Sequence, residues 1–288
     1  MSTSRDGMPL NKREVVAKAR RIIERIPPMP STVFELRKAA ADPNANYDHL
    51  VPILKKDPVI CADLLRYANS ARYGVRHKVE TVGEAVRYFG MRNLIELVAA
   101  SCSDKIVRET FSQIRNLELY FQHVREVSQA AAALAEVQGM SQHDREVYLV
   151  MGLMHDIGRL VVFVAVVGEG HAALGATWAE TRRLVNKQEE LYGLNHSELG
   201  AMILQKWHFP EVIRIGVLRH HNPVRGKDIS IEGLMICLAD IIAVGELPEE
   251  ILMKALPPEV MVRSKIPVEN ILKAKKLYTM RSLPATQQ

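Results

Sequence analysis

Apolar residues recur along most of this chain at the three- and four-residue spacing of a single helical face, and strict apolar/polar alternation is almost absent. Val15, Val16, Ala19, Ile22, Ile23 and Ile26 form the first such stripe, which Pro27-Pro28-Met29-Pro30 ends by removing amide donors. Thr32 and Glu35 have the spacing of a capping box and predict a short second helix that closes at Asp42-Pro43. A third helix is expected from about Asp48 to Lys56. Asp57 then suits the N-cap and Pro58 the first position of a fourth helix. Its apolar face, Ile60, Leu64, Leu65 and Ala68, runs out at Asn69-Ser70, where a structural cap is expected. Thr81 and Glu84 make a second box, and Leu94, Leu97, Val98 and Ser101 continue on one face beyond Gly90.

From about Asn116 to Val137 the chain reads as one long alanine-rich helix, stopped by Gly139 and carrying His123 on its first turns. Further helices are expected near 145–154, 158–166, 176–192, 196–207, 211–220, 230–245 and 268–280. Val161 to Val167 is β-branched enough to imitate a strand, but a buried helix fits its neighbours better. The expected fold is all-α, with an N-terminal bundle of short helices packed on a C-terminal helical subdomain. The corresponding boundaries are a polar tail at 1–14, a helical half over 15–112, a second subdomain over 113–247 and a helical extension over 248–288.

Composition narrows the picture. With 288 residues, 48% hydrophobic and 25% charged, the chain can bury two cores and is too apolar for sustained disorder. The longest apolar run noted, Leu160 to Val167, falls short of the roughly 18 residues a membrane span requires. Met1 to Arg13 lacks a secretory pattern, so a cytoplasmic location without a membrane partner is expected. Cys61, Cys102 and Cys237 are scattered without CxxC spacing and read as buried thiols. The formal charge of +5 is spread along the chain, and the tract Lys273 to Lys276 reads as a solvated helix face. With no recognised binding motif beside it, that charge gives no expectation of a nucleic-acid partner.

Chemistry is most concentrated at Gly152-Leu153-Met154-His155-Asp156-Ile157-Gly158-Arg159, where an imidazole and a carboxylate interrupt an apolar run. Burying both costs several kcal/mol unless they are paired or metal-bound. Taken alone, the pair is equally a hydrogen-bonded clip or a pair of ligands. Other polar residues on apolar helices add candidates: His123, His196, His220-His221 and Asp240. His49, His77, His143 and His171 fall in polar stretches and read as surface or capping residues, and Trp178 and Trp207 read as packing residues.

The order His123, His155-Asp156, His196, His220-His221, Asp240 resembles that of the HD-superfamily metal phosphohydrolases, particularly the branch that includes HD-GYP proteins. The resemblance implies ligand roles for all seven residues, with Asp156 in the position that bridges two metals, and gives residues 113–247 the character of an HD-like subdomain. Upstream, Ile26-Pro27-Pro28-Met29-Pro30, Leu54-Lys55-Lys56-Asp57-Pro58, Leu64 to Ser70 and Thr81 to Val86 with Phe89-Gly90 resemble the HDOD domain. So do His196 to Gly200, Trp207 to Pro210 and His220-His221-Asn222-Pro223.

A histidine and aspartate set without thiolate suits Fe, Mn, Ni, Co or Zn, as one or two ions. The HDOD resemblance implies a regulatory module of bacterial signalling without catalysis, whose partners are other signalling proteins. The alternative it leaves open is a metal-dependent phosphohydrolase acting on a nucleotide or phosphodiester. The chain departs from HD-GYP enzymes in lacking Gly-Tyr-Pro after His221 and in carrying Arg159 where lysine is usual. Arg159 retains the planar fork that clamps phosphate, which makes it the expected phosphate or ligand contact. Leu119 stands four residues before His123, where a carboxylate would help hold a third metal.

Overall fold

The computed structural model describes residues 12–42, 44–69, 78–114, 116–166, 195–243 and 258–282. The described residues are all-α apart from one minimal hairpin, and the chain groups into two compact units, Pro27–Thr110 and the remainder.

The Pro27–Thr110 unit holds α2 (Ser31–Ala40), α3 (Tyr47–Lys55), α4 (Pro58–Ala68), α5 (Val82–Phe89) and α6 (Met91–Thr110). Its core contains Leu64, Leu94 and Leu97 from the predicted faces, together with Val33, Leu36, Leu50, Leu54, Val86 and Phe89. The Thr81–Glu84 box forms as expected: Thr81 Oγ1 accepts from the Glu84 amide at 3.2 Å, and the Glu84 carboxylate accepts from the Thr81 amide at 3.4 Å. Asp57 caps α4 through Oδ1, which accepts from the Val59 and Ile60 amides at 3.1 Å.

The Thr32–Glu35 box does not form. Pro30, extended at φ −53° and ψ 145°, is itself the N-cap, so α2 begins at Ser31 with no side-chain cap and Thr32 already lies inside it. Glu35 instead pairs with Lys56 at 3.1 Å. Asn46 is a cap that sequence reasoning did not single out; its side chain accepts from Asp48, while His49 Nδ1 accepts from the Asn46 amide, a capping role for His49. Asn69 makes a two-way tie after α4: its amide donates to the Leu65 and Val79 carbonyls and its oxygen accepts from the Val79 amide.

The larger unit contains α1 (Lys12–Arg25), α7 (Leu117–Val137), α8 (Gln142–Met154), α9 (Ile157–Val166), α10 (His196–Lys206), α11 (Glu211–Arg219), α12 (Ile231–Ala243), α13 (Pro258–Ser264) and α14 (Val268–Ser282). α7 is its central element, packed against α8, α12 and α14, while α9 packs against α1 and α10. α1 therefore belongs with the later helices and not with the short ones that follow it. Lys206 fixes it there, its ammonium donating to the carbonyls of Ile23, Glu24 and Ile26 at 2.9, 2.8 and 2.6 Å. One cation thus gathers three carbonyls at and just past the helix end, where it also suits the negative end of the helix dipole.

Val161 is fully buried within α9, as the helical reading of that β-branched stretch requires. Trp207 is likewise fully buried. Val224–Arg225 and Asp228–Ile229 pair antiparallel around Gly226, whose φ of +58° only glycine adopts freely; periodicity did not register so short a hairpin. The run Gln142–Ala165 is long and apolar enough by composition to cross a membrane, contrary to the sequence count, but His155-Asp156 divides it into α8 and α9 and most of it is buried in the protein. Residues 176–192, with Trp178 and His171, and also His77, Ser70 and Pro43, lie outside the described residues.

Candidate metal centre

Glycine sets the spacing on which the centre depends. A Cβ on Gly158 would lie 1.9 Å from the His196 carbonyl oxygen, so only glycine lets the start of α9 meet the start of α10. A Cβ on Gly152 would lie 2.5 Å from the Ser128 Cα, which brings the end of α8 equally close to α7. These two approaches place the α8–α9 junction, with His155 and Asp156, against His123 on α7 and His196 at the first position of α10. Asn195 fixes that last start, its Oδ1 accepting from the Glu198 amide at 3.0 Å. His220 and His221 follow directly on α11, and Asp240 lies on α12.

All seven residues meet. They form two groups, Asp156–His196–His220–His221 and His123–His155–Asp240, and within each group the potential ligand atoms lie within 4.8 Å of one another. Asp156 joins the two. Its Oδ1 is 3.2 Å from His196 Nε2 and 3.7 Å from His220 Nε2, while its Oδ2 is 3.3 Å from His123 Nε2 and 3.5 Å from His155 Nε2. Asp240 Oδ1 is 3.5 Å from His123 Nε2. His155, Asp156, His196, His220 and Asp240 are at most 2% exposed, and only edges of His123 and His221 reach solvent.

Two of the imidazoles have their tautomers fixed by the backbone. His155 Nδ1 lies 2.7 Å from the Gly152 carbonyl and His220 Nδ1 lies 2.6 Å from that of Val217, so each Nδ1–H donates and each Nε2 keeps its lone pair. Burial drives the pKa of His155 and His221 well below the usual imidazole range, and that of His196 to about 4. Burial opposes ionisation of Asp156, yet the Arg159 guanidinium and the His155 ring hold its pKa well below the carboxylate range. For Asp240, burial dominates and raises it. His123 is raised despite burial, by its contacts with Asp156 and Asp240.

Nε2 of His123, His155 and His220 and Oδ1 of Asp156 are buried without a hydrogen-bond partner, and Oδ2 of Asp156 has the Arg159 ion pair. Native proteins rarely leave such groups orphaned. His221 Nε2 and His196 Nε2 are hydrogen-bonded to each other at 2.9 Å, the donor being whichever ring carries the proton there. Divalent cations accept such lone pairs, so the residues present fit a metal, and the absence of thiolate matches the N/O class of sites. The clip interpretation of His155-Asp156 does not account for the orphaned atoms.

Arg159, the expected phosphate contact, lies beside Asp156 with Nη1 2.7 Å from Oδ2; its Nη2 is buried and unpartnered. Leu119 is exposed on α7. Sequence reasoning missed Gly152 and Gly158 as spacing residues, although a glycine on either side of His155-Asp156 in an apolar helical run was a usable signal. It also missed Glu146, a carboxyl buried on α8 with Oε2 unpartnered.

The family model of the HDOD domain matches residues 26–223. The chain belongs to the HDOD family. An uncharacterized protein of Treponema pallidum (strain Nichols) is 27% identical over 201 residues, which are 69% of this chain and 38% of that protein, so this HDOD chain spans well under two thirds of that relative's length. A candidate phosphohydrolase from Shewanella amazonensis SB2B is 25% identical with a TM-score of 0.66, covering 92% of this chain and 94% of its own. An HDOD domain protein of unknown function from Geobacter sulfurreducens is 21% identical with a TM-score of 0.58 over 95% of this chain and 99% of its own. This last likeness shows the shared fold.

Proposed function

We propose that this HDOD protein is a metal-binding regulatory module of cytoplasmic signalling, in which the histidine–aspartate centre holds a divalent ion and the helices around it present the output to other signalling proteins. The observation that carries the metal is the set of buried, partnerless ligand atoms on α7, the α8–α9 junction and the end of α11. Two features support a held ion over turnover. The ligand atoms are enclosed except at the edges of His123 and His221. The cation beside the Asp156 carboxylate is Arg159, whose fixed charge makes it a poor proton donor.

A second reading, a metal-dependent phosphohydrolase of nucleotides or phosphodiesters, is favoured by the completeness of the ligand set. When bound, the metal supplies Lewis acidity and an activated water. Arg159 would orient a phosphate through its unpartnered Nη2.

Turnover assays with added Mn²⁺ or Fe²⁺, on a panel of nucleotides and phosphodiesters, separate the readings when run beside thermal melts. The regulatory reading predicts no turnover above that of Asp156→Asn protein. It also predicts that chelation lowers Tm by about 10 °C, the equivalent of about 4 kcal/mol for a ligand at a thousand times its Kd. Chelator-sensitive turnover that Asp156→Asn abolishes would replace it with the hydrolase.

A further inference from the structure

α11 carries an apolar stripe that its neighbours leave exposed. Val212, Ile215 and Leu218 are 40, 37 and 36% exposed, on a helix whose other face, Ile213, Gly216 and Val217, is buried. The helix cannot roll to hide them. A Cβ on Gly216 would lie 2.0 Å from Met151 Sδ, so α11 sits flush on α8, and a Cβ on Gly233 of α12 would lie 2.6 Å from the Arg219 Cβ. Packing against α8, α10 and α12 holds the buried face from three sides. Single exposed apolar residues are ordinary, but three on one face of a short, fixed helix make a contact surface.

The charges beside the stripe identify what covers it. Glu211 and Arg219 lie four residues before and four after Ile215, so the three form one i, i+4 ridge with opposite charges at its ends. Glu211 is exposed and Arg219 partly so. Val212 and Leu218 are likewise equidistant from Ile215. The surface is therefore its own complement about a two-fold axis beside Ile215. We propose that α11 is the interface through which two copies of this chain pair antiparallel, Ile215 against Ile215, Val212 against Leu218, and Glu211 against Arg219 at both ends.

Charge sets the orientation. Parallel pairing would put Glu211 beside Glu211 and Arg219 beside Arg219, whereas antiparallel pairing makes two opposite-charge contacts. Packing of i, i+4 ridges against one another is the commonest class of helix contact, and its interaxial distance of about 8–10 Å is within reach of a glutamate–arginine pair. An isologous contact needs a surface symmetric about its own centre, which a partner of unrelated sequence does not. Arg214, half-buried at the edge of the stripe, stays on the solvated rim, where salt screens its charge. Size sets the strength. The nine residues of α11 span about 14 Å, less than a standard interface occupies, so the dimer is weak, with Kd on the order of tens of micromolar. None of the seven candidate ligands lies on the stripe, so the pairing stands apart from the metal-binding reading.

Sedimentation velocity of the full chain from about 5 to about 500 µM, a range that brackets that Kd, tests the proposal, with circular dichroism showing that each variant is folded. Wild type is expected to pass from monomer to dimer. Ile215→Glu sets two like charges together at the axis and is expected to stay monomeric throughout, a weakening of at least about tenfold. Glu211→Arg and Arg219→Glu are each expected to weaken pairing about threefold or more, and their combination, which exchanges both ends, to return it to within about twofold of wild type. Recovery cannot come from helix stability, because each swap opposes the helix dipole and the combination opposes it at both ends. A wild type that is monomeric at the highest concentration overturns the proposal and leaves the stripe to a partner of different sequence. A dimer that Ile215→Glu leaves intact, or a double swap no better than the single ones, overturns it equally. Should Ile215→Glu fail to fold, the charge swaps alone decide.

Discussion

At the scale of single residues, what distinguishes this protein is where polar atoms have been left without partners. His155 and His220 each spend Nδ1 on a carbonyl one helical turn back and turn Nε2 inward, so their tautomers are set before any ion arrives. Glu146 is a different case. Its carboxyl is buried on α8 with one hydrogen bond from Gln142, and burial pushes its pKa up to about 7 from an ordinary 4.5. Between those values the folded protein keeps a proton that the unfolded chain has lost, so stability falls as pH rises through the window. Glu146→Gln removes the titration. The variant is expected to match wild type near pH 5 and to exceed it by about 2 kcal/mol near pH 8, a figure reduced for residual solvation. Urea unfolding at both pH values measures it, and parallel pH dependence in the two proteins would refute the assignment.

The candidate ligands were legible because each is a polar island in an apolar helical run: Asp240 within Cys237-Leu238-Ala239-Asp240-Ile241-Ile242, and His155-Asp156 after Leu153-Met154. Glu146 was not, because one carboxyl near a polar helix start looks solvated until the neighbouring helices are placed over it. The ion pair of Arg159 with Asp156 was equally hidden, since a cation one turn from an acid can as easily face a ligand.

At the scale of elements, two close backbone approaches decide the geometry. α9 crosses α10 at Gly158, and α8 meets α7 at Gly152, each at a separation that no side chain tolerates. In Gly158→Ala the new methyl meets the His196 carbonyl, and backbone cannot rotate away as a flexible side chain can. The expected cost is about 3 kcal/mol or more, together with a displaced His196 and weakened metal binding. Denaturant unfolding paired with Mn²⁺ titration checks both, and a variant with wild-type stability and affinity would show the approach to be looser than described.

Helix existence was readable from spacing alone, and caps were readable where the local backbone cooperated, as at Thr81 and Asp57. Thr32–Glu35 failed because Pro30 starts the helix before the motif can act. A sequence motif competes with the backbone conformation of its neighbours, and proline wins that competition through its fixed φ. Lys206 was beyond reach for a similar reason: its three carbonyl partners lie some 180 residues away, and no local pattern encodes them.

At the scale of the whole molecule, an all-α fold followed from the near absence of alternation, and the HDOD family is shown by the match over residues 26–223. The grouping of α1 with the later helices did not follow from the sequence, because hydrophobic periodicity says that a face is buried and not what buries it. The function proposed for the molecule rests on α7, the α8–α9 junction, α10, α11 and α12 delivering their ligands to one centre. Crystals grown with Mn²⁺ and measured at an energy where manganese scatters anomalously test that most directly. The account predicts an anomalous peak about 2.0–2.3 Å from Asp156 and from Nε2 atoms of the histidines around it. A map with no peak there, and with the imidazoles hydrogen-bonded to protein or water instead, would contradict it.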